Sequence, residues 1–218
     1  MKIKDAGTLF SRENEDEVSN EDKLLSLTKQ KSTLINDIKN FINNETVDIN
    51  CVDIINNTPL IYAIENDRID IVQLLIDKGA DVNKITGEDI TPLRVAINEI
   101  NNMDIINLLI NKGADIKYIN KKGQTYLMLA CNKLNIDIHR DYYDNLFKLL
   151  LSKIDFNKKD NNGMTCIDYI DEDKYKNYVK ELKNVFLYDE IIMYYYNSPI
   201  DFDIDDIEHI TMYISTFF

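Results

Sequence analysis

Residues 77–97 read DKGADVNKITGEDITPLRVAI, residues 58–64 read TPLIYAI, and residues 111–130 read NKGADIKYINKKGQTYLMLA. A glycine, a short Ala-Asp tag and a Thr-led start to an apolar stretch thus recur at nearly fixed intervals. Thr58, Thr91 and Thr125 are spaced by 33 and 34 residues, and Thr165 follows 40 further on. Each threonine precedes a helix-periodic segment: TPLIYAI, TPLRVAI, TYLMLAC and TCIDYI. A threonine hydroxyl can accept from the free N–H groups at a helix start, and proline at the first helical position gives up only a donor that had no partner. Pro59 and Pro92 occupy that slot.

A second helix follows each start, over IDIVQLLIDKGAD (69–81), MDIINLLINKGAD (103–115) and NLFKLLLSKIDF (145–156). Ile71, Val72, Leu74 and Leu75 form one apolar stripe, and Ile105, Ile106, Leu108 and Leu109 repeat it. Five of the six glycines fall at helix ends or in the turns between units.

This pattern resembles the ankyrin repeat, a 33-residue unit of one turn and two helices with a T-P-L-H-x-A signature. The resemblance implies an all-α solenoid. Its units are a capping unit at 23–50, repeats at 53–83, 86–116 and 120–157, and a degenerate unit at 160–182. An acidic, disordered tail is expected over 1–22, and a helical closing segment over 184–218. The signature His is absent, with Ile61, Arg94, Met128 and Asp168 in its place, so its hydrogen bonds between hairpins must be replaced. Tyr126 and Cys166 stand for the Pro, and Asn56 and Asp89 for the turn Gly. Asn and Asp tolerate a left-handed backbone better than most residues.

Composition narrows the function. No apolar run nears the roughly 20 residues that span a bilayer, and MKIKDAGTLFSREN lacks a signal-peptide core. Cys51, Cys131 and Cys166 are too few and too scattered for a disulfide framework, which suits a reducing cytoplasm. The formal charge of −13 opposes phosphate binding. Residues 11–22 and 197–218 each carry −5, so the acidity belongs to the two ends. The expected partner is another protein, basic in character, met by a monomer.

Catalytic motifs are absent: no G-x-S-x-G, no P-loop and no Rossmann glycines. His139 and His209 lie outside any zinc-ligand spacing. DFDIDDIEH (201–209) imitates a calcium loop, but Asp206 replaces the turn Gly and Met212 the bidentate Glu. Cys166 begins a helix and Cys131 sits within one; both read as packed, inert thiols. No catalytic residue, metal or cofactor is assigned.

By analogy with the family, binding residues lie on the turn tips and the inner face of each first helix. These are Ile54, Ile55, Asn57, Glu65 and Asn66, then Glu88, Ile90, Asn98 and Glu99, then Lys121, Lys122, Gln124 and Lys133. KLNIDIHRDYYDN (133–145) is an insertion in which Tyr143 keeps the helical spacing of the core. Arg140 and Tyr142 are left over as contact candidates, both residue types being common interface anchors. LYDEIIMYYY, within 184–218, is similar to the F-box-like ends of poxviral ankyrin proteins, with Tyr188 in place of their Pro. Two roles follow: an inhibitor or immunity-type protein masking a basic enzyme such as a nuclease, or a microbial or viral effector docking on a host protein.

Overall fold

Thr58 accepts from the Ile61 N–H at 3.2 Å, Thr91 from the Arg94 N–H at 3.1 Å and Thr125 from the Met128 N–H at 3.4 Å. These caps start α3 (Pro59–Glu65), α5 (Pro92–Glu99) and α7 (Tyr126–Lys133). The computed structural model describes residues 18–87, 89–100, 102–133, 140–170, 173, 176–181, 183 and 184, without the side chains of Arg140, Asp141 and Asp144. The second helices are α4 (Ile69–Asp77), α6 (Met103–Asn111) and α8 (Arg140–Leu151). A leading pair, α1 (Asn20–Lys29) and α2 (Ile35–Asn44), comes before them, and a short 3-10 helix (Cys166–Tyr169) follows.

The helices stack in two layers. In one, α1 packs on α3, α3 on α5, and α5 on α7; in the other, α2, α4, α6 and α8 follow in order. The apolar stripes face each other between them. Ile71, Val72, Leu75, Ile105, Ile106, Leu109, Leu146, Phe147 and Leu150 are essentially inaccessible. Burying each such side chain contributes about 1.5–3 kcal/mol relative to exposure. No unit can bury its helices alone, so the same caps and stripes are restated along the chain.

The Asp of each tag has a specific task. The carboxylates of Asp48, Asp81, Asp115 and Asp155 each accept from the N–H two residues on, closing a turn. Asn50 then donates to the Gly79 carbonyl at 3.1 Å and accepts from the Asp81 N–H at 2.8 Å. Asn83 does the same for Gly113 and Asp115. At these two junctions the tag therefore fastens one unit to the next, while Lys117 stands in the asparagine's place at the third tag. Asn56 and Asp89 do take the left-handed backbone, with φ of 64° and 60°.

The amino-terminal boundary needs correction. Residues 20–22, expected in the tail, are the first turn of α1. Ser19 accepts from the Asp22 N–H at 3.0 Å, and Glu21 and Asp22 suit the positive end of the helix. The rest of the expected tail, 1–17, and the expected closing segment beyond Asn184 lie outside the described residues.

Candidate functional site

Between successive units the chain projects as a hairpin. Its closing bond runs from the Asp53 N–H to the Asn57 carbonyl, from Thr86 to Ile90, from Asn120 to Gln124, and from Asp160 to Met164. In the first, third and fourth hairpins the side-chain oxygen of Asp53, Asn120 or Asp160 also accepts two N–H groups of its own turn. These three turns are thus closed by a side chain as well as by the backbone.

On the first tip Ile54 is 100% exposed and Ile55 60%. Asn57, expected beside them, is buried and serves the turn through its N–H to Asp53. Ile90 of the second hairpin is half-buried against the core, and Glu88 lies outside the described residues. The third tip exposes Lys121 and Lys122. Asp89 anchors it, accepting from the Lys121 N–H at 2.9 Å, with the Lys121 Nζ 3.7 Å from its other oxygen. Gln124 is tied down, donating to the Tyr169 hydroxyl at 2.7 Å.

Along the inner helices Glu65 and Glu99 are exposed, while Asn98 and Lys133 are half-buried. The Glu65 carboxyl is raised, first by the chain packed around it and then by the Glu99 charge. Asn66 is an inter-unit tie, donating to the Thr28 and Lys29 carbonyls at 3.0 Å.

The insertion reading is corrected for Tyr142. Only 8% of it is exposed, its ring meets Tyr143 edge-on at 5.1 Å, and burial raises its phenol. Because α8 begins at Arg140, both tyrosines fall on its packed side, and Tyr142 cannot be a surface anchor. Tyr143 is core, as its spacing implied. The Arg140 side chain, residues 134–139 with His139, and the calcium-like segment with His209 lie outside the described residues.

Two features escaped the sequence reading. Val52, Ile85 and Ile119 each stand six residues before a capping threonine, and are 41%, 52% and 43% exposed. They form an apolar row across three hairpins, and their 33- and 34-residue spacing was the available signal. The second feature is a groove of about 550 Å³ lined by Asp22, Leu25, Ser26 and Lys29 of α1, by Val52, Asp53 and Ile54, and by Tyr62 of α3. The Tyr62 hydroxyl donates to Asp53, and the Lys29 Nζ lies 5.0 Å above the Tyr62 ring. Burial opposes ionisation of Asp53, but the Tyr62 bond and two backbone N–H groups outweigh it and hold the carboxyl below its ordinary value.

Among the described residues no group of three or more His, Cys, Asp or Glu side chains could hold a metal ion. Cys131 and Cys166 are buried, and the Cys166 Sγ donates to the Phe156 carbonyl at 3.4 Å. Burial, with Cys166 adding, raises the Cys131 thiol far above its ordinary value. Such a thiol is a poor nucleophile. No helix among the described residues is long and apolar enough to cross a membrane.

A family model for ankyrin repeats in three copies matches residues 25–118 and 93–190. The chain is 40% identical over 55 residues to the ankyrin repeat protein FPV244 of Fowlpox virus (strain NVSL), covering 25% of this chain and 8% of that protein. It is 39% identical over 59 residues to alpha-latrocrustotoxin-Lt1a of Latrodectus tredecimguttatus, covering 27% of this chain and 4% of the toxin. These matches span less than a tenth of either relative's length.

Proposed function

This chain belongs to the ankyrin-repeat family, a fold that serves protein–protein interaction, and on that footing we propose that it binds a partner protein without catalysis, through its hairpin tips and inner helix face. The observation that carries this is the row of exposed Val52, Ile54, Ile55, Ile85 and Ile119 on or beside hairpins closed by their own backbone hydrogen bonds. Exposed aliphatic side chains beside charged ones match the apolar centre and polar rim of interfaces. The partner is basic. A net charge of −13, concentrated near the two ends, raises encounter rates with a positive surface.

Of the two narrower roles, the viral relative favours an effector that docks on a host protein over an inhibitor of a basic enzyme. The chain acts as a monomer in a cytoplasm, that of a host if it is delivered there. Affinity capture, from the native cell and separately from host lysate, tests this when the mass of each complex is measured. Capture from the host alone supports the effector role. A stable complex with a basic enzyme of the native cell overturns it in favour of the inhibitor.

A further inference from the structure

We propose that the groove between α1 and the first hairpin anchors a partner segment carrying an aliphatic or aromatic side chain next to a lysine or arginine. The proposal deepens the interaction reading above and rests on it.

The apolar half of that chemistry comes from Leu25, Val52 and Ile54. Leu25 is 5% exposed and forms a floor, Val52 a half-exposed wall, and Ile54 a wholly exposed edge. A closed hairpin holds Ile54 there: the Asp53 oxygens accept from the Ile55 N–H at 3.0 Å, the Asn57 N–H at 2.9 Å and the Tyr62 hydroxyl. An isoleucine kept in water on a turn closed by these hydrogen bonds gains from any apolar cover.

The basic half comes from the carboxylates. Asp22 and Asp53 stand on opposite walls, one in the first turn of α1 and one in the hairpin. Asp53 is held ionised by its hydrogen bonds, so its charge is fixed in place. Glu65 and Glu99 extend the negative surface along the inner helices. The Lys29 ammonium, also on the lining, lies over the Tyr62 ring and offsets part of the Asp53 charge, so the two lining carboxylates leave the groove acidic by one charge. A Lys or Arg flanking the apolar anchor would meet carboxylate on either side.

Charge also selects among occupants. A second copy of this chain would bring the same surplus of acid, and a nucleic acid would set phosphates against Asp22 and Asp53. The groove's volume of about 550 Å³ accommodates one or two side chains of a segment running across it.

Selection of short random peptides, displayed on phage, against the full-length chain tests the assignment. The expected enrichment is for sequences with an apolar residue adjacent to Lys or Arg. Their affinity should fall about tenfold or more on Ile54→Ser, the loss that marks an anchoring side chain. Asp22→Asn should weaken them less, and added salt should weaken them in both backgrounds. Because Ile54 is wholly exposed, Ile54→Ser should melt with the parent chain, and a matched melting curve makes its binding result interpretable. In the methyl NMR spectrum, the peptides should shift Ile54, Val52 and Leu25. Enrichment of acidic or uncharged peptides overturns the proposal, as does no enrichment. Peptides that keep their affinity on Ile54→Ser but lose it on Glu65→Lys or Glu99→Lys also overturn it, while leaving the broader interaction reading standing.

Discussion

The hydroxyl of Tyr126 lies 2.7 Å from the Thr91 hydroxyl in the interior of the stack, joining the first residue of α7 to the cap of α5. Tyr126 occupies the slot that Pro59 and Pro92 fill in the units before it. The family's histidine is missing here, and this tyrosine supplies a bond between hairpins in its stead. Tyr126→Phe keeps the ring and deletes only that bond. Unfolding in urea should show a loss of about 1 kcal/mol, typical of one neutral hydrogen bond. A loss near zero would mean that Thr91 is satisfied by its cap to Arg94 alone.

Alkaline pH probes the same side chain. Burial raises the Tyr126 phenol to about 12, against an unfolded value near 10. The protonated form is favoured in the fold, so its contribution is complete below pH about 10 and declines as pH rises towards 12. Cys51, raised to about 11, acts in the same direction from its own lower unfolded value. The stability curve should therefore descend across this window, and Tyr126→Phe should make the descent shallower. Parallel curves for the two proteins would contradict the burial of the hydroxyl.

Two glycines separate backbone strain from crowding. Gly79 has φ of 96°, and a methyl group added there meets nothing within 4 Å, so Gly79→Ala should lose about 1–2 kcal/mol from backbone conformation alone. At Gly123 the same methyl would come within 2.8 Å of the Asn161 backbone nitrogen. That is where the fourth hairpin is joined to the third, the Asn161 N–H donating to the Lys122 carbonyl at 3.0 Å and its side chain to the Lys121 carbonyl at 2.8 Å. Gly123→Ala should therefore be clearly the more damaging. Equal losses in thermal melts would show that the hairpin junction yields freely.

The fold was legible because its signals are local and repeated. A capping threonine, a proline beside it and an aliphatic stripe each say where a helix begins and which way it faces. Ile54 and Ile55 could be placed on a tip for the same reason. What one dimension does not show depends on neighbours. Asn57, Asn66 and Gln124 look like free polar residues in one dimension, yet Asn57 is buried with its backbone N–H closing the turn, and the Asn66 and Gln124 side chains donate to the α1 carbonyls and to Tyr169. Tyr142 was misplaced because the insertion before it hid the phase of α8. Leu25 and Asp22 were missed because their groove forms only when the capping unit packs on the first repeat.

Tyr142 offers a direct check on that correction. Its hydroxyl is buried and has no hydrogen-bond partner among the described residues. Tyr142→Phe removes the unpaired group and keeps the ring, so stability should hold or rise by up to about 1 kcal/mol. Tyr142→Ala should instead lose about 3–5 kcal/mol by opening a cavity. Partner binding by the Phe variant should match the parent. A selective loss of binding by Tyr142→Phe, with unchanged stability, would return this hydroxyl to the interface.

Glu65 tests the charge of the inner face without needing a partner. Its carboxyl is raised by packing first and by Glu99 second. Glu99→Gln removes the second cause alone, so the Glu65 midpoint followed by carbon-13 NMR should move down while staying above that of an ordinary glutamate. The sign for stability follows. A carboxyl raised in the fold favours its protonated form there, so its contribution is complete below the unfolded value and is lost as pH rises through the folded one. At neutral pH the charged Glu65 thus weighs slightly against the native state. Glu65→Gln should stabilise the protein, by well under about 1 kcal/mol because solvent screens an exposed group. If Glu65→Gln instead lowered the melting temperature at neutral pH and raised nothing at acid pH, the carboxylate would be gaining more from Lys29 than it loses to Glu99, and the inner face would be less negative than a basic partner requires.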